Sequence, residues 1–138
     1  MAPVGQDGTL PEPPKGPTAS AGFGSPGADR TVKRVDLNDA LVRHPQATFM
    51  MRTAGDAMRD AGIADGDVLI VDRALSPHHG NVIVAVVDGE LICRRLFNQA
   101  GVVKLKAAAI GHSDMVFGEG QELEVWGVVT TVIKSLLD

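Results

Sequence analysis

The chain has 138 residues, which sets the expectation of one domain, large enough to fold around its own core and too small for a multidomain enzyme. Lys and Arg number 13 against 17 Asp and Glu, a formal net charge of −4, so a general grip on polyanions is disfavoured and any nucleic-acid role is expected to be indirect. The single cysteine, Cys93, offers no internal disulfide, and neither a secretory apolar segment nor a run of about 18 apolar residues is visible, so a cytoplasmic protein is expected, without secretion or membrane spanning.

Residues 1–30 hold six of the eight prolines together with Gly5, Gly8, Gly16, Gly22, Gly24 and Gly27 and almost no large apolar side chain. They read as a disordered N-terminal arm ahead of a folded domain over residues 31–138. Asp36 to Pro45 reads as a short helix or turn, with Asp36 as N-cap, Pro45 as stop, and Leu37, Ala40 and Leu41 facing the core. Beyond Pro45 the periodicity is that of strands. Thr48 to Thr53 is the first, and Val68 to Asp72, introduced by the Asp65-Gly66-Asp67 turn, is the second. Asn81 to Val87 and Leu91 to Leu96 flank Asp88-Gly89, a two-residue hairpin signal. Val102 to Leu105, Met115 to Phe117 and Leu123 to Ile133 complete about seven short strands, and Gly127 inside the last marks a bulge or a close backbone approach. The fold class is therefore mainly β with one short helix. With 44% apolar but only 4% aromatic residues, its core is built from Val, Ile, Leu and Ala.

Generic chemistry is sparse. His78-His79 lies in a turn between Pro77 and Gly80 with no second ligand pair at a zinc-like spacing, and reads as a solvated loop. Cys93 alternates with Leu91 on an apolar strand face, the position of a small buried hydrophobe rather than a nucleophile. Asp56, Asp60, Asp65, Asp67 and Asp72 are dense but lack a calcium-loop pattern, which leaves them turn-forming and surface roles. No metal and no cofactor is expected.

More informative is Thr53-Ala54-Gly55-Asp56-Ala57-Met58 followed by Gly62 to Asp72. A strand ends in glycine, a short turn presents one small residue, Ala57, and the chain climbs through Asp65-Gly66 into the next strand. This stretch resembles the LexA/UmuD family of self-cleaving serine/lysine peptidases (S24), whose signature is Gly-Asp-Ser-Met, a Gly-Asp turn, and a lysine after an Asp-Gly hairpin. The resemblance is to the UmuD type. Ala21 to Asp29, Arg34 to Asn38, His44-Pro45, Ile70 to Asp72, His79-Gly80, Val87 to Glu90 and Trp126 to Val129 all match in one register, without a gap from Ala21 to Ser135.

By that resemblance the domain has the LexA/UmuD-type peptidase fold, position 57 belongs to the serine nucleophile and position 94 to the lysine general base. This chain carries Ala57 and Arg94 instead. Alanine has no nucleophilic atom and arginine stays protonated in proteins, so no cleavage by this mechanism is expected. Alanine is the minimal removal of a hydroxyl and arginine conserves charge, a pattern that either deliberate replacement or natural loss of the dyad would leave. Ala107 and Ala109 also stand where the family usually has Pro and Asn. The implied scissile bond is Ala21-Gly22, in an arm long enough to dock beside the strands, with Phe23 as its anchor.

The resemblance further implies a homodimer in the SOS response, a RecA nucleoprotein filament as the stimulus for self-cleavage, and a UmuC-type Y-family polymerase as partner in translesion synthesis. Direct, specific DNA binding is not expected. Three other readings stand beside it. A LexA-like repressor shares the peptidase domain but carries a helix-turn-helix, and residues 1–30 show no helical periodicity. A signal-peptidase-like enzyme would need a membrane anchor. A catalytically silent module would keep the dimer and partner surfaces alone.

Overall fold

The computed structural model describes residues 34–137, so the arm over residues 1–30, with the Ala21-Gly22 bond and Phe23, lies outside the described residues. Helix α1 spans Leu37–Leu41, and the Asp36 carboxylate caps it by accepting the Asn38 N–H at 2.9 Å. The expected core-facing stripe does not form. Little more than one turn long, α1 leaves Leu37 65% exposed and Ala40 and Leu41 only half-buried.

Seven strands follow: β1 Thr48–Arg52, β2 Val68–Asp72, β3 Val82–Val87, β4 Glu90–Gln99, β5 Val102–Lys106, β6 Met115–Phe117 and β7 Glu124–Ile133. They make one antiparallel sheet in the order β1-β2-β7-β3-β4-β5-β6. The fold is mainly β, as the sequence predicts. Asp88 and Gly89, at φ 51° and 78°, turn β3 into β4 as a two-residue hairpin. A second turn of this shape, Ala100-Gly101 at φ 53° and 77°, joins β4 to β5 and carries β4 past Leu96 to Gln99.

The last strand in sequence is central in space, and two irregularities let it bend between its neighbours. Ile70 pairs with Thr131 but Val71 with Val129, which leaves Thr130 unmatched; Val84 pairs with Gly127 but Ala85 with Val125, which leaves Trp126 unmatched. Both readings of Gly127 hold. It adjoins the second bulge, and a Cβ there would lie 2.6 Å from Val71 Cγ1.

β3 is apolar throughout because it is covered on both faces. On one, Val84 packs with Leu69, Val71, Val129 and the loop residues Met58 and Ile63. On the other, Ile83 and Ala85 pack with Leu96, Leu105 and Val128. The first cluster positions the site, because Met58 and Ile63 bracket the segment that follows β1.

Candidate active site

The β1–β2 connection is pinned at both ends. Thr53 donates its N–H to Asp67 O at 2.8 Å and its hydroxyl to Ala64 O at 2.7 Å, while its own carbonyl accepts from Gly66 N. Gly55 N donates to the Asp65 carboxylate at 2.7 Å. Between these ties the chain makes a 3-10 turn, Arg59–Ala61, closed by Gly62 in the left-handed region at φ 86°. Met58 and Ile63, 3% and 4% exposed, drop from this loop into the core. Ala57 is thereby presented beside them, and its segment is clamped to the chain after β5: Ala57 O accepts from Ala108 N, and Asp60 N donates to Ala108 O, both at 2.7 Å.

Arg94 comes from β4, opposite Ile83 and just before the residues that β5 covers. Ala57 and Arg94 line one cavity of about 340 Å³, whose walls include Met51, Met58, Ile63 and Cys93. The structure therefore brings the two sequence-predicted residues to one cavity, one from the β1–β2 connection and the other from β4. Neither supplies a nucleophile or a base. The Arg94 guanidinium donates through Nη1 to Cys93 O at 2.7 Å, and its Nε is buried with no hydrogen-bond partner among the described residues. Burial pushes the neighbouring Cys93 thiol up to about 11, against the opposing pull of Arg94 and Arg95, so it holds its proton at neutral pH.

The rim carries a group that sequence reasoning missed. His112 Nε2 donates to Asp56 Oδ1 at 2.8 Å, and Arg59 Nη1 donates to Asp56 Oδ2 at 3.1 Å. The His112 hydrogen bond, with smaller help from the His112 and Arg59 charges, holds the Asp56 carboxyl below its usual range. No local motif could have signalled a pair 56 positions apart.

The other acids divide. Asp60 and Asp65 stay in surface turns, but Asp67 and Asp72 are buried, which corrects the expectation of surface roles for them. Asp67 accepts from Ala64 N at 2.8 Å and from the Lys134 ammonium, and the Lys134 hydrogen bond holds its carboxyl low. Asp72 accepts from Ala74 N at 2.8 Å and from His44 Nδ1 at 2.6 Å. Each buried carboxylate is thus satisfied by a partner, as burial requires. His78-His79 does not line the cavity. Rather than standing free in solvent, His79 accepts the Asn98 N–H at 3.0 Å and meets Phe97 edge-on at 5.0 Å. Among the described residues no three His, Cys, Asp or Glu side chains gather as a metal site, and no helix is long and apolar enough to cross a membrane.

Comparison with known proteins finds a match to the family described as peptidase S24-like over residues 16–130, a span that takes in both cavity residues and the Ala21-Gly22 bond. Protein ImpA of Salmonella typhimurium is 45% identical over 76 residues, 55% of this chain and 52% of that protein. Protein MucA of Escherichia coli is 36% identical over 111 residues, covering 80% of this chain and 76% of MucA. Protein SamA of Salmonella typhimurium strain LT2 is 38% identical over 115 residues, or 83% and 79%. The chain spans about half the length of ImpA and about three quarters of MucA and SamA.

Proposed function

This chain belongs to the family of S24-like peptidases, and on that footing we propose that it is a UmuD-like accessory protein of SOS mutagenesis whose own peptidase site is silent. The observation that carries this is the occupancy of one cavity by Ala57 and Arg94, where the family's chemistry needs a hydroxyl and a neutral amine. Arginine remains cationic at any pH a protein survives, and the Cys93 thiol stays protonated beside it, so neither supplies the base or the nucleophile at neutral pH. The reading extends to a cytoplasmic homodimer that answers to a RecA nucleoprotein filament and serves a UmuC-type Y-family polymerase. The net charge of −4 supports action through protein partners, and the exposed Phe49 and Met50 on edge strand β1 support an assembled chain.

The scaffold's lost activity is testable by restoring both groups. The double variant Ala57→Ser with Arg94→Lys is incubated at alkaline pH, where a lysine base is more readily neutral, and then with an activated RecA filament, and intact mass is recorded beside the unaltered chain. Cleavage of the double variant alone, at Ala21-Gly22, is the expected outcome. If neither protein is cut under either condition, the domain has lost more than its dyad and is a dimeric binding module without a latent peptidase site.

A further inference from the structure

We propose that the Arg94 cavity is a receptor for a peptide's C-terminal carboxylate, so that the exchange of a base for a guanidinium gives the site a ligand instead of a reaction. The inference rests on the reading of this cavity as the silent site of a peptidase scaffold, and adds which end of a peptide it would hold and by which group.

Three observations point the same way. First, the lining carries two arginines against a single acid. Asp56 is the one acidic residue among the described lining, and it already accepts from His112 and Arg59; Arg52 donates to Gly66 O at 2.9 Å; Arg94 faces no carboxylate. Second, the Arg94 side chain is folded back on its own strand, with Nη1 on Cys93 O and Nε buried unpaired. A buried donor with no acceptor costs stability, so this is a resting pose, and a rotation that presents Nε and a terminal nitrogen to the cavity is favoured once a planar two-oxygen acceptor enters it. Third, the lining holds two backbone donors without an acceptor. The Ala57 carbonyl is turned to Ala108 N, and peptide planarity turns the Met58 N–H to the opposite side; neither the Ala57 nor the Met58 N–H has a hydrogen-bond partner among the described residues.

A guanidinium fork lining the same cavity as unpaired backbone N–H groups, within walls of Met51, Met58 and Ile63, suits a carboxylate attached to a small apolar residue. A lysine here would offer a point charge without the matched pair of donors, which is why the identity of residue 94 matters.

The test uses acetyl-Ala-Ala-Ala with a free C-terminal carboxylate and the same peptide as its C-terminal amide, titrated into the full chain and followed by amide and Arg Nε–H resonances. The expected result is binding of the acid at least ten-fold tighter than the amide, with shifts at Ala57, Met58 and the Arg94 Nε–H. Arg94→Ala is expected to abolish the difference between the two peptides, and Arg94→Lys to restore only part of it. Equal affinity for acid and amide would overturn the carboxylate assignment while leaving a peptide cavity in place. Failure of both to perturb the cavity residues would overturn the assignment together with the peptide reading beneath it.

Discussion

A methyl group at position 127 would sit 2.6 Å from Val71 Cγ1 and 3.3 Å from Arg73 Cγ, and Val71 has no exposed surface into which to retreat. Glycine is needed there for space, since φ at 127 is not in the left-handed region. Gly127→Ala is therefore expected to cost about 1–3 kcal/mol, the usual penalty for overpacking a filled core. Urea unfolding followed by circular dichroism measures it, and an unchanged midpoint would mean that β2 and β7 separate at this point more easily than the packing indicates. The position was legible in advance because glycine inside a strand has few uses. His112 and Lys134 were not, because each finds its acid through the fold: Asp56 and Asp67 lie far away in sequence, and no spacing rule connects them.

The two hairpins show what a turn's chemistry reveals and what it hides. Asp88-Gly89 and Ala100-Gly101 adopt the same backbone, with both residues at positive φ. Aspartate tolerates that region and announces the turn, whereas alanine does not, so β4 read as ending at Leu96 when it continues to Gln99. Ala100→Asn is expected to stabilise the chain by about 0.5–1 kcal/mol by relieving the left-handed alanine, seen as a melting temperature raised by a few degrees. A lower melting temperature would show that Ala100 makes a contact worth more than its strain. Helix α1 fails differently. Its cap was legible in Asp36, but its apolar residues promised a burial that five residues do not achieve.

At the scale of the molecule, strand number and type were legible from apolar alternation, while the order of the strands was not, because nothing local says that β7 lies between β2 and β3. Ala57 and Arg94 were singled out by resemblance alone; the cavity that joins them depends on that order. The Asp67–Lys134 contact links the loop before β2 to the chain just after β7, and so ties stability to pH. Its carboxyl is depressed in the folded state, chiefly by the Lys134 hydrogen bond, so the contribution is present above the ordinary carboxylate range and is lost as pH falls through the depressed value. Lys134→Met is expected to move the acid unfolding midpoint to higher pH and to lower stability at neutrality. An acid titration that overlays the parent's would show that the contact is spent in solvent. The placement of β7 also sets an order of events during synthesis. β1 and β2 on one side, and β3 to β6 on the other, share no pairing until β7 joins them. While a ribosome still holds residues 124–133, the nascent chain can form hairpins but not its sheet, and β2 and β3 each offer an open edge to other chains.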